Sequence, residues 1–140
     1  MTIAIRPAGA DDLAALVDVD SFAQANAGRR DEIAHWVESG ACFIAERDGE
    51  IVGYCVLTRN FFHSFFVELL MVHEPERGEG IGTEMLAYLV ELVPPGEKLW
   101  TSTNASNAPM RRLVERLGFI ESGRIDNLDE GDPELVFVRL

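Results

Sequence analysis

The segment Arg77-Gly78-Glu79-Gly80-Ile81-Gly82-Thr83 sets one arginine ahead of three glycines at alternate positions. Glycines let backbone N–H groups converge on a ligand without Cβ obstruction, and a helix start adds unpaired donors and a partial positive charge. Arginine contributes a full charge and a fork of donors that matches phosphate. Together these make an anion site, and a pyrophosphate fits it best. Thr83-Glu84 follows the last glycine, so the Lys-Ser/Thr pair of a P-loop is missing. Gly78-x-Gly80-x-Gly82 is not the dinucleotide spacing, and it lies mid-chain after what reads as an antiparallel meander. The other chemically suggestive residue is Glu68, the lone acid in the apolar run Phe65–Val72. Burial there would raise a carboxyl pKa into the range of a general base. The competing reading is a carboxylate that points to solvent or pairs with an arginine.

The elements that must position these residues follow from periodicity. Ile3–Pro7 reads as a short strand stopped by proline. Asp11 or Asp12 can cap a helix carrying Leu13, Leu16, Val17 and Val19. A second helix is expected over Arg30–Glu38, with Ile33, Trp36 and Val37 at helical spacing. Ala41–Glu46 and Glu50–Arg59 read as strands joined at Asp48-Gly49, a pair that tolerates positive φ. Phe65–Val72 is a third long strand. Ile81, Met85, Tyr88, Leu89 and Leu92 form one helical face, which Pro94-Pro95-Gly96 ends. Lys98–Ser102 is a strand, and Met110, Leu113, Val114 and Leu117 are the face of another helix. Pro109 opens that helix and Gly118 closes it. Phe119–Arg124 and Glu134–Leu140 are the last strands. The order predicts an α/β (α+β) fold: a mixed, mostly antiparallel sheet of six to seven strands with helices on both faces. Its one parallel crossover spans Phe65 to Ser102.

Length and composition suit one domain over residues 1–140, with 47% apolar residues to fill a core. The net charge of −12 argues against nucleic acid as a partner. No apolar run is long enough to span a bilayer, and the N-terminus lacks the features of a signal peptide. Cys42 and Cys55 lie in apolar strand-like runs and read as buried reduced thiols, with no metal site and the cytoplasm as the expected compartment.

The pattern Arg77-x-x-Gly80-x-Gly82, after a strand ending in Val72, resembles the acetyl-CoA pyrophosphate loop of the GNAT superfamily of N-acetyltransferases. Downstream, Asn107-x-x-Met110 and Leu113-x-Glu115-Arg116-Leu117-Gly118-Phe119 resemble the family's second block. The two motifs stand in the family's order, and the element order agrees along the whole chain. The resemblance implies a GNAT-type sheet and an acetyl-CoA-dependent N-acetyltransferase, with no metal. Its acceptor would be a small-molecule amine or a protein amino group, and its state a monomer or homodimer. It implies that the backbone of Leu70, Met71 and Val72 pairs with the pantetheine arm. In the family, a bulge here splays the strand from the next one and exposes an N–H to the thioester carbonyl. Arg77, Gly78, Glu79, Gly80, Ile81, Gly82 and Thr83 would hold the pyrophosphate, and Asn107 would lie near pantetheine unless it serves as a helix cap.

The sequence also departs from the family pattern. Glu79 stands where lysine is common, and Glu74 precedes Pro75 where the family has proline. Val114 occupies the position of the tyrosine that protonates the departing thiolate, and valine cannot donate. Ser106 is a substitute donor or a turn residue. His63 is a candidate for lining the acceptor cleft, and His73 reads as structural. The run Glu121–Glu134 carries six acids against Arg124. Those in the loop Asp126–Glu134 either attract an amine or a basic side chain or form a solvated turn. The alternatives to an active enzyme are a non-catalytic acyl-CoA-binding module and a domain for another phosphate ligand.

Overall fold

A computed structural model describes residues 2–140. The strands are β1 (Ala4–Pro7), β2 (Cys42–Arg47), β3 (Glu50–Phe61), β4 (Ser64–Val72), β5 (Leu99–Asn104), β6 (Ile120–Ile125) and β7 (Glu134–Arg139). The helices are α1 (Leu13–Val19), α2 (Ser21–Gln24), α3 (Ala27–Glu38), α4 (Ile81–Leu92) and α5 (Ala108–Arg116). The seven strands form one sheet in the order β1-β2-β3-β4-β5-β7-β6, in which β4 and β5 pair in parallel. The mixed, mostly antiparallel fold expected from the sequence is the one observed. Among the described residues no helix is long and apolar enough to cross a membrane.

Contacts group the chain into two compact units. One runs to Leu57 and resumes over Leu69–Tyr88; the other comprises Thr58–Glu68 and Leu89–Leu140. In the first unit, strand alternation sends Cys42, Ile44, Tyr54 and Val56 to one face, where they meet Leu16, Val19, Ala23, Ile33 and Trp36 from α1, α2 and α3. The intervening residues face α4: the Phe43 ring lies 5.5 Å from that of Tyr88, and Gly53 abuts Met85. This part of the sheet therefore carries helices on both faces. Each fully buried aliphatic side chain here contributes about 1.5–3 kcal/mol. In the second unit, β7 pairs with β5 from Leu99↔Arg139 to Asn104↔Glu134 and with β6 on its other side, and α5 buries Val114.

Three local expectations are corrected. The helix predicted over Arg30–Glu38 begins at Ala27, because the Asn26 side chain accepts from the Arg29 N–H and caps it earlier. Its first turn adds no buried apolar residue, so periodicity could not reveal it. α2 was not foreseen; four residues show no period, and Asp20 caps it by accepting from the Phe22 and Ala23 N–H groups. Asp12 stands at the start of α1 without capping it, since its carboxylate binds Arg6 and the Gly9 N–H instead. The Asp48-Gly49 turn has φ of 54° and 79°, as its residue types demand. The β3–β4 hairpin turns the same way at Phe62 (φ 51°) and His63 (φ 65°), a conformation that those residue types do not announce.

Candidate functional site

The loop between β4 and α4 turns on two glycines. Gly78 (φ 84°) and Gly80 (φ 85°) both take the left-handed conformation, which side chains resist. The Gly80 carbonyl accepts the first helical bond, from Glu84 N–H at 3.1 Å, so α4 starts directly on the last turn of the loop. Buried Ile81, Met85, Leu86 and Leu89 fix the helix. The N–H groups of its first turn have no intrahelical acceptor.

Arg77 is exposed and folds back on the strand that leads into the loop: Nε donates to the Val72 carbonyl at 3.1 Å, and Nη2 lies 3.9 Å from Met71 Sδ. Among the described residues it has no carboxylate partner, although Glu74, Glu76 and Glu79 are its sequence neighbours. Two of those acids are taken by a residue the sequence did not flag. Arg47, at the end of β2, donates to Glu79 Oε1 at 2.6 Å and binds Glu76 as well. No local signal links Arg47 to the loop, because its partners lie about thirty residues downstream.

The ladder between β4 and β5 covers Phe65↔Leu99, Phe66↔Trp100 and Val67↔Thr101. At its end the Thr101 hydroxyl donates to the Val67 carbonyl at 3.2 Å. β4 itself continues through Glu68, Leu70, Met71 and Val72. Within the first unit, the Met71 carbonyl approaches Gly53 so closely that a Cβ there would stand 2.8 Å from it.

Glu68 is half-buried and, among the described residues, pairs with no arginine. Its Oε1 accepts from the Asn60 amide at 2.9 Å and from the Thr58 hydroxyl at 3.1 Å. Both donors are neutral, so the carboxylate is oriented without a neutralising cation.

The other candidates fall into place locally. Asn107 caps α5, its Oδ1 accepting from the Met110 N–H at 3.2 Å. Ser106 is a turn residue, its hydroxyl donating to Asp132 Oδ2 at 2.6 Å. Asp129 accepts from Asn104 at 2.8 Å. Two acids of the β6–β7 loop therefore anchor it to the end of β5 and to the turn that follows. Val114 is fully buried, as is Tyr54, whose hydroxyl donates to Asp20 at 2.5 Å. Burial first, then the Asp20 carboxylate, holds the Tyr54 phenol far above its ordinary pKa. His73 donates its N–H to the Val52 carbonyl at 2.8 Å, a structural contact, and His63 is exposed on the hairpin. Cys42 and Cys55 are buried free thiols, and burial pushes Cys42 up to about 12. Among the described residues no group of three His, Cys, Asp or Glu is placed to hold a metal ion.

One open pocket of about 570 Å³ lies in the second unit, lined by Phe61, Phe62, Trp100, Arg124, Ile125 and Val136 among others. The Phe61 ring stacks on Phe66 at 5.2 Å and tilts against Trp100 at 5.1 Å. Arg124 faces this apolar wall with its charge paired to Asp126 at 3.1 Å.

Comparison with known proteins agrees with this arrangement. The model of the acetyltransferase (GNAT) family matches residues 10–119. A GNAT-family acetyltransferase from Bacillus cereus ATCC 10987 is 36% identical, with a TM-score of 0.90 over 100% of this chain and 99% of that one. A ribosomal-protein-alanine N-acetyltransferase from Brucella melitensis is 25% identical, with a TM-score of 0.78 over 98% and 99% of the two chains. The ribosomal-protein-S18-alanine N-acetyltransferase of Escherichia coli shares the fold at 21% identity, with a TM-score of 0.82 over 99% and 93%. No curated protein matches the sequence. A family model that spans most of the chain, joined to a solved family member alike along its whole length, establishes that the chain belongs to the acetyltransferase (GNAT) family and is an enzyme of acetyl transfer.

Proposed function

We propose that the chain, as a single domain over residues 1–140, moves the acetyl group of acetyl-CoA directly to a primary amine of a small molecule or protein. The diphosphate lies on the loop from Arg77 to Thr83, and pantetheine runs along the backbone of Leu70, Met71 and Val72. The observation that carries this reading is the loop itself. Two left-handed glycines open onto the start of α4, beside an arginine that no acid engages among the described residues. The end of the β4–β5 ladder at Val67↔Thr101 supports an open strand edge beyond it. Asn107 keeps its amide Nδ2 for the ligand while Oδ1 serves the cap.

A primary amine is mostly protonated at neutral pH, so the attack needs a base. Glu68 takes that proton, directly or through water, oriented by Asn60 and Thr58. The acceptor's apolar part occupies the pocket of Phe61, Phe62 and Trp100. Acetyl-CoA titration of the protein by calorimetry tests the cofactor site, and release of free CoA across a panel of amines tests turnover. Absence of acetyl-CoA binding would overturn the proposal.

A second reading, an acyl-CoA-binding module of weak or no activity, has one observation in its favour. Val114 is buried at the position of the family's acid, and the hydroxyls of Ser106 and Tyr54 are both given to carboxylates. Tight acetyl-CoA binding without CoA release on any amine would select it.

The cytoplasm, a monomeric or dimeric state, and partners other than nucleic acid or membrane complete the proposal. The net charge of −12 supports the exclusion of nucleic acid.

A further inference from the structure

The proposed diphosphate loop carries the wrong charge for its ligand. From Glu74 to Glu84 the chain has four acids, Glu74, Glu76, Glu79 and Glu84, against Arg77 alone. Glu79 sits between the two left-handed glycines, on the backbone whose amides would face the anion. Left to themselves, these carboxylates would repel a diphosphate and compete with it for the Arg77 guanidinium.

Arg47 resolves the conflict. Its side chain is only 14% exposed and holds Glu79 at 2.6 Å together with Glu76. Planar guanidinium geometry allows one residue to bind two carboxylates at once. With both acids engaged, Arg77 is left bonded to the Val72 carbonyl and, among the described residues, to no acid. Arg47, Glu76 and Glu79 all belong to one compact unit.

Resting on the placement of the diphosphate in this loop, we infer that Arg47 is a positioning residue for the acetyl donor, masking Glu76 and Glu79 so that Arg77 and the loop amides are left for phosphate. Arg47 does not itself bind the donor. It supplies from β2 the positive charge that the loop lacks at Glu79.

The test is acetyl-CoA calorimetry on the full chain, with thermal melting to establish folding and S-acetylpantetheine as a donor that lacks the diphosphate. Arg47→Ala weakens acetyl-CoA binding about tenfold, the scale of two carboxylates released within a Debye length of the ligand. Its KM for S-acetylpantetheine stays at the wild-type value. Arg47→Lys recovers part of the loss. The triple variant R47A/E76Q/E79Q recovers affinity to within about threefold of wild type, because the acids no longer need masking. The E76Q/E79Q double leaves Arg47 untouched and binds acetyl-CoA at least as well as wild type, which keeps the idea testable if R47A does not fold. Unchanged affinity in R47A, or a triple variant as weak as R47A, overturns the role of Arg47 while the diphosphate site stands. A wild-type protein that does not bind acetyl-CoA overturns the site itself.

Discussion

Asn60 donates its side-chain amide to the Glu68 carboxylate at 2.9 Å, with Thr58 as the second donor and, among the described residues, no cation sharing the pair. Neutral donors fix the direction of a carboxylate without adding a charge of their own. Glu68→Gln keeps the shape and both neighbours but cannot accept a proton. It should lower kcat by about 10²–10⁴, the usual contribution of a positioned base. Acetyl-CoA affinity from calorimetry should stay at the wild-type value. A variant with full kcat would remove Glu68 from the mechanism.

Arg77→Ala should weaken acetyl-CoA binding by about 1.5–3 kcal/mol, the range for a charge-assisted hydrogen bond. That corresponds to roughly 10- to 150-fold in Kd. The loss should shrink as salt rises, because phosphate contacts are screened. A salt-independent loss would instead indicate that the Val72 contact, and not the charge, was what mattered.

Two glycines should respond to alanine for different reasons. At Gly53 the backbone is ordinary but the space is not: a methyl would stand 2.8 Å from the Met71 carbonyl and push on the strand edge proposed for pantetheine. Gly53→Ala should cost about 1–3 kcal/mol in stability, as overpacking does, and should weaken acetyl-CoA binding. At Gly80 the space is open and the φ of 85° is the obstacle. Gly80→Ala should cost about 1–2 kcal/mol and act mainly on cofactor affinity. Urea unfolding and calorimetry on both variants separate the two causes.

Asp20 is fully buried and holds Tyr54, Arg29 and the cap of α2. Burial alone would raise its pKa; the bonds from Tyr54 and Arg29, with the Ala23 N–H, outweigh burial and leave it below the ordinary aspartate value. A folded pKa below the unfolded one gives stability that is present above the unfolded value of about 3.9 and lost as pH falls through the folded one. Asp20→Asn should therefore destabilise the protein at neutral pH, by about 3 kcal/mol on the scale of broken buried pairs. It should also flatten the acid limb of the stability–pH curve. Some slope should remain, since the Arg6 bond holds Asp12 down in the same direction. Denaturant midpoints between neutral and acid pH provide the check.

Trp100→Ala removes one wall of the aromatic pocket. KM for an apolar amine acceptor should rise at least tenfold on the scale of a lost aromatic anchor, with acetyl-CoA affinity unchanged. Equal KM values would move the acceptor elsewhere.

The sequence by itself determined most of the elements and the glycine-rich turn that leads into α4. Ile81, Met85 and Leu89 announce α4 because a helix repeats its buried face within a few residues, and Gly78 and Gly80 announce the turn because left-handed backbone selects glycine. Both signals are local. α2 and the turn at Phe62-His63 escaped, the first because four residues show no period, the second because bulky residues rarely adopt positive φ. Only the tertiary structure decided which charges meet. Glu68 meets Asn60 instead of an arginine, Asp132 ties down Ser106, and Arg47 takes Glu79 from the far end of a hairpin. A side chain's partner depends on strand register and on packing across many residues of chain, and no short window of sequence contains that information.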